Sequence, residues 1–250
     1  MKPARVLIIY TGGTIGMLAD PRTGTLAPMD LARLEEQVPE LERIGVELKS
    51  VSFPQPKDSS DMGPADWVRL ATIIGEHYAE HDGFVVLHGS DTMAYTASAL
   101  SFLLEGLGKP VVLTGSQLPI GTIRTDAREN LITAIEIAAA RDEEGRPRVP
   151  EVAVYFEYHL YRGNRTVKVH AERFEAFRSP NWPPLAEAGV RIRYDHRAIL
   201  PLRERPFKVH TELDDRVGVL PLFPGIRPDW VRSALSTPDL MGVVLATFGS

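Results

Sequence analysis

Gly83-Phe-Val-Val-Leu-His-Gly-Ser-Asp-Thr-Met-Ala-Tyr-Thr-Ala-Ser-Ala-Leu-Ser-Phe-Leu-Leu104 passes from a strand pattern through a polar turn into a helical pattern, and the rest of the chain is arranged around it. Phe84 to Leu87 is an unbroken apolar run of β-formers, as expected of a strand buried on both faces of a parallel sheet. After His88 and Gly89 the period becomes helical, with Met93, Ala97, Leu100 and Leu104 along one stripe and Gly106 as a stop. Between strand and helix lies Gly89-Ser90-Asp91-Thr92, two hydroxyls and a carboxylate at a turn. Open α/β sheets bind ligands there, outside the carboxyl ends of their strands.

Two other segments repeat the design. Arg5–Tyr10 runs into Thr11-Gly12-Gly13-Thr14-Ile15-Gly16, and Pro110–Leu113 runs into Thr114-Gly115-Ser116-Gln117. Side by side in one parallel sheet, these strand ends bring Thr14, Ser90, Asp91 and Ser116 to one crevice. Hydroxyls after glycine commonly cap helices. Three such ends together favour a ligand site.

At 250 residues, 44% apolar and 24% charged, the chain has the makings of an ordinary globular protein with a sizeable core. A net charge of −5 gives no reason to expect nucleic acid or an anionic membrane as partner. The absence of cysteine excludes disulfides, thiol nucleophiles and thiolate-bound metals. Val6–Ile9 is too short an apolar run for a signal peptide or a membrane helix, so the expected location is the cytoplasm.

Along the chain, Leu18–Met29 reads as a loop, and Asp30 is expected to cap a helix carrying Leu31, Leu34 and Val38. A strand is expected over Val46–Phe53, followed by the polar cluster Asp58-Ser59-Ser60-Asp61. Pro64 opens a helix with Trp67, Leu70, Ile74 and Tyr78 inward, closed by Gly83. Asp126 and Glu129 suggest a capping box for a helix through Leu131, Ile135 and Ala138. Val152–Phe156 is the next strand. Glu157–Pro184 is basic and aromatic, and reads equally as a substrate-facing hairpin or as a subunit or domain contact. Residues 1–190 form the expected first domain, 191–206 a charged, proline-marked connector, and 207–250 the start of a second domain. That second part has strand signals at Phe207–Val209 and Val217–Leu222, a helix from Pro228, and a buried strand over Met241–Phe248.

An uncharged hydroxyl is a poor nucleophile, so a serine or threonine at a strand end needs a base or cation nearby; Asp91 and Lys168 are the candidates. The Gly12–Gly16 segment lacks the spacing of a dinucleotide loop, Gly106–Lys109 precedes a strand instead of a helix, and no Gly-x-Ser-x-Gly occurs. The histidines are read as offering no His-x-x-x-His pair on a predicted helix, which argues against a metal site. His88 reads as a core residue that positions its turn.

Five motifs stand in order: Thr-Gly-Gly-Thr-Ile (11–15), Asp-Ser-Ser-Asp-Met (58–62), His-Gly-Ser-Asp-Thr-Met-Ala-Tyr-Thr (88–96), Thr-Gly-Ser-Gln (114–117) and Tyr-Arg-Gly-Asn-Arg-Thr-Val-Lys (161–168). Together they closely resemble the bacterial cytoplasmic, type I L-asparaginases. The resemblance implies an α/β fold: a larger N-terminal domain with a mainly parallel sheet flanked by helices, then a smaller α/β C-terminal domain. It implies hydrolysis of L-asparagine to L-aspartate and ammonia through an acyl-enzyme, without cofactor or metal, in homodimers or homotetramers. By motif, Thr14 is similar to the primary nucleophile, and Ser90, Asp91 and Lys168 to the second catalytic group. Ser59, Ser60 and Asp91 resemble the holders of the substrate's α-carboxylate and α-amino group, and Ser116 the residue lining its amide. Lys168 is expected to act as a charged partner of Asp91, since an adjacent carboxylate opposes deprotonation of a lysine.

There are departures. Ser90 stands where the family has threonine, keeping the hydroxyl but losing the methyl that restricts its rotamer. The loop Thr23-Gly24-Thr25-Leu26-Ala27-Pro28 lacks the tyrosine many relatives place there. The apolar strand Met241–Phe248 has no crossover after it to reach a neighbour, so the expectation is a piece of a longer protein of roughly 320–340 residues. Two alternatives stay open: the amidase component of a tRNA-dependent amidotransferase, and a non-catalytic binder of small amino acids or anions.

Overall fold

The computed structural model describes residues 2–19, 26–28, 37–202 and 205–248. Two compact units divide the chain, Met1–Thr211 and Glu212–Ser250. In chain order the first unit contains β1 (Arg5–Gly12), β2 (Met17–Ala19), β3 (Leu26–Pro28), β4 (Glu47–Lys57), α1 (Pro64–His77), β5 (Gly83–Leu87), α2 (Met93–Leu103) and β6 (Leu104–Glu105). It continues with β7 (Val111–Thr114), α3 (Ala127–Ala139), β8 (Val152–Phe156), β9 (His159–Arg162), β10 (Val167–Lys168), β11 (Phe177–Arg178), β12 (Ala186–Glu187), β13 (Arg193–Tyr194) and β14 (Lys208–Val209).

Eight strands make the main sheet, in the order β13-β12-β9-β8-β7-β5-β1-β4. Neighbours from β4 to β8 run parallel, whereas β9, β12 and β13 extend the sheet antiparallel. Alternation along β1 assigns the two faces. Val6, Ile8 and Tyr10 pack with Leu131, Ala134 and Ile135 of α3, whereas Leu7 and Ile9 pack with Leu70 and Ile74 of α1 and Met93 and Leu100 of α2. Both faces are therefore covered, which is why these strands are apolar without a break. The chain leaves β1 for β4 on one side and returns to β5 on the other. That reversal puts the switch point of the sheet between the carboxyl ends of β1 and β5, where open sheets bind ligands.

Several expectations change. Part of the loop expected over Leu18–Met29 is an antiparallel pairing of β2 with β3. Residues 20–25 and the expected helix through Leu31 and Leu34 lie outside the described residues, while Val38 is buried. β4 runs on to Lys57, four residues past the expected Phe53, because it follows β1 to Gly12. α1 ends at His77, and Gly83 opens β5 instead of closing the helix. The capping box at Asp126 does not form, because that carboxylate accepts instead from the backbone N–H groups of Gln117 and Leu118. Within residues 191–206, Arg193 and Tyr194 form an edge strand of the main sheet; after them, β14, within the strand expected at Phe207–Val209, pairs with β6 of the first unit.

The second unit holds β15 (Val217–Pro221), α4 (Pro228–Leu235) and β16 (Gly242–Ala246), with β15 and β16 parallel. The strand expected over Met241–Phe248 forms only over Gly242–Ala246, and its Val244 and Leu245 are exposed where burial was expected. A two-stranded sheet and one helix of 8 residues offer too little surface to cover both faces.

Candidate active site

Three glycines set how closely the strand ends approach. Gly12 and Gly13 have φ of 135° and 87°, in the range that favours glycine. A Cβ on Gly13 would lie 2.4 Å from the Gly89 nitrogen, and one on Gly115 would lie 2.3 Å from the His88 carbonyl oxygen. The turns after β1, β5 and β7 are thus in backbone contact. Thr14, opening the 3₁₀ turn Thr14–Gly16, is half-buried at this meeting point. Tyr10 supports the turn from below: its hydroxyl donates to the Gly16 carbonyl at 3.2 Å, and burial pushes its pKa up to about 12.

The turn after β5 is held by His88. Its Nδ1 lies 2.7 Å from the Gly89 carbonyl oxygen and its Nε2 lies 2.9 Å from Thr96 Oγ1. A carbonyl can only accept, so Nδ1 carries the proton and Nε2 accepts from Thr96. Burial holds the His88 pKa below its ordinary value, consistent with the neutral ring. Its expected positioning role matches this geometry. Gly89 also abuts the second polar cluster, since a Cβ there would meet Ser59 Oγ at 2.6 Å. The Thr92 hydroxyl donates to the Ser59 carbonyl at 2.6 Å, tying that cluster to the β5 turn. Ser59 is buried and Ser60 exposed, with the Ser60 N–H committed to the Asp58 carboxylate at 2.8 Å.

Lys168 arrives from the basic and aromatic segment. β10 pairs with β11, setting Lys168 opposite Phe177, which is buried against Phe156. From this hairpin the Lys168 ammonium donates to Asp91 Oδ1 at 2.6 Å and to Ser90 Oγ at 2.9 Å. The lysine side chain is 15% exposed and the Asp91 side chain 62%, so the cation is sheltered and the carboxylate is wet. Ser90 Oγ in turn donates to Gln117 Oε1 at 3.4 Å.

Ser116 is buried, and its hydroxyl donates to the Leu118 carbonyl at 2.6 Å. The loop around it is shaped by Asp126 and by Asn130, whose amide donates to the Gly115 carbonyl at 3.0 Å and accepts from the Glu157 N–H at 3.1 Å. Direct side-chain bonds thus join Ser90, Asp91 and Lys168, whereas Thr14, Ser59 and Ser116 reach the same strand ends through their backbones. Sequence reasoning missed Gln117, which spans from Ser90 to the carbonyls of Ala171 and Arg173 at 3.0 and 2.9 Å. Its signal was its place in Thr114-Gly115-Ser116-Gln117. It also missed that His77 and His81 stand four apart, with Glu80 between them.

A family model described as the N-terminal asparaginase domain matches residues 5–200. L-asparaginase 1 of Escherichia coli (strain K12) is 43% identical over 250 residues, spanning 100% of this chain and 72% of that protein. The crystal structure of L-asparaginase I from Vibrio cholerae O1 biovar eltor superposes with a TM-score of 0.88 at 40% identity, covering 99% of this chain and 73% of that one. A glutamyl-tRNA(Gln) amidotransferase component from Thermoplasma acidophilum is more distant, at 35% identity over 97% of this chain and 58% of its own length. With similarity along the whole of this chain, a common fold and the strand-end motifs all in agreement, this chain belongs to the asparaginase family.

Proposed function

We propose that this chain hydrolyses the side-chain amide of L-asparagine, with Thr14 as nucleophile. The observation that carries the reading is the bonded group Lys168–Ser90–Asp91 at the same strand ends as the glycine-seated Thr14 turn. Thr14 Oγ adds to the amide carbon, its proton passes to the departing nitrogen, and ammonia leaves an aspartyl ester on Thr14. Water then adds to the ester carbon, a proton returns to Thr14 Oγ, and L-aspartate departs. Ser90 sits between an ammonium donor and an amide acceptor, which suits it to pass protons in these steps.

Substrate binding follows from the donors and acceptors present. The wet carboxylate of Asp91 faces the substrate's ammonium, while Ser59 and the Ser60 hydroxyl serve its α-carboxylate. The Ser116 hydrogen is committed to Leu118, so its oxygen is left to accept, which suits the N–H groups of a side-chain amide. The reaction as proposed uses no cofactor. Assembly into homodimers or homotetramers and a cytoplasmic location belong to the same proposal. Among the described residues no helix is long and apolar enough to cross a membrane. Ammonium release from asparagine and glutamine, measured side by side without tRNA, tests the activity. Turnover of free asparagine supports it, and binding without turnover would overturn it.

A further inference from the structure

We propose that His77, Glu80 and His81 form a binding site for a divalent transition metal, with zinc as the best fit. One ligating atom from each side chain lies within 4.8 Å of the other two. The local backbone explains this. His81 N–H bonds the His77 carbonyl at 3.3 Å, so helical spacing persists past the end of α1 and positions i, i+3 and i+4 share one face. The two imidazoles meet edge to face with ring centroids 5.6 Å apart.

His81 is already oriented for the task. Its Nδ1 lies 3.1 Å from the His77 carbonyl oxygen, which can only accept, so Nδ1 holds the proton and Nε2 keeps its lone pair. A histidine ligand fixed by a carbonyl on its other nitrogen is the arrangement that metal sites use. The buried ring stands beside Phe84, whose centroid is 6.2 Å away, while Glu80 is exposed and gives access from solvent. Two imidazoles and a carboxylate, completed by water, match the four-coordinate preference of zinc and are a poor set for magnesium or calcium. The Lys109 ammonium, bonded to the carbonyls of Tyr78 and His81, opposes a cation here. Glu80 and the negative end of α1 offset it.

The site lies before β5, whereas Ser90 and Asp91 lie after it. Five residues of strand separate them, roughly 17 Å at the usual rise per residue. The metal would therefore brace the turn that leaves α1, ahead of β5, and take no part in amide chemistry.

Isothermal titration of the metal-free full chain with zinc chloride tests this, with magnesium chloride as control. Saturable zinc binding that Glu80→Gln and His77→Gln each weaken about tenfold or more supports the site, since even outer partners of ligands are worth 10–100-fold. Both substituted side chains lie at least partly in solvent, and unchanged far-ultraviolet circular dichroism would show that the variants fold. No saturable zinc binding, binding unaffected by both variants, or equal binding of magnesium would overturn the proposal.

Discussion

Replacing Lys168 with methionine should separate catalysis from stability. The ion pair lost is half in water: the lysine is 15% exposed, but Asp91, at 62%, stays hydrated without its partner. Pairs of that kind contribute up to about 1 kcal/mol. In a unit of this size that is roughly 2–4 °C of melting temperature. The same change removes the donor 2.9 Å from Ser90 Oγ and the charge that orients Asp91. Disabling proton transfer through the Ser90 hydroxyl that this ammonium holds costs about 10²–10⁴ in rate, or roughly 3–5 kcal/mol of barrier. The rate effect should therefore exceed the stability effect severalfold. Ammonium release at saturating asparagine, with thermal melts followed by circular dichroism, reads both quantities. Lys168→Arg should recover only part of the rate, because a planar guanidinium cannot take the place of a compact ammonium at both acceptors. Wild-type turnover in Lys168→Met would refute the argument, and so would a melting temperature lowered by far more than the exposed pair allows.

Gln117→Ala should reduce turnover about tenfold by freeing the Ser90 hydroxyl and the Ala171–Arg173 carbonyls. Adding Ser90→Thr should restore part of the loss, because β-branching limits the rotamers that Gln117 otherwise selects. A double variant no faster than Gln117→Ala would count against this. His88 predicts a pH dependence of stability. Its folded pKa lies below 6.5, chiefly through burial, so the unfolded chain takes up a proton that the folded chain refuses. Stability is then complete above about pH 6.5 and falls as the pH drops towards the folded pKa, by up to about 1.4 kcal/mol per pH unit. Denaturant melts between pH 7 and pH 5 should show that slope, and His88→Gln should lack it.

What the sequence made legible were the features set by local pattern. The runs ending at Tyr10, Leu87 and Leu113 are apolar without interruption because both faces of the sheet are covered, and the glycines after them mark where backbones touch. Hence the parallel sheet and the hydroxyl residues at its strand ends were readable. The antiparallel extension was not: β12 and β13 are two residues each, too short to show a period. Asp126 had the composition of a helix cap, but the donors of Gln117 and Leu118 compete for the same carboxylate, and only tertiary structure decides between them. Gln117 was hidden for a related reason, since its partners lie at Ser90 and at Ala171 and Arg173, far apart in the chain. The His77–His81 pair, by contrast, stands inside the stretch expected to be helical up to Gly83, so its i, i+4 spacing was legible in the sequence without any tertiary information.

In the proposed mechanism Thr14 carries the acyl group. Rapid-quench mass spectrometry of the protein mixed with asparagine, stopped within the first turnovers, tests it directly. An aspartyl ester is expected on the peptide containing Thr14, absent from Thr14→Ala, with turnover in that variant lowered roughly 10⁴-fold. An acyl group found on Ser90, or full activity in Thr14→Ala, would contradict it.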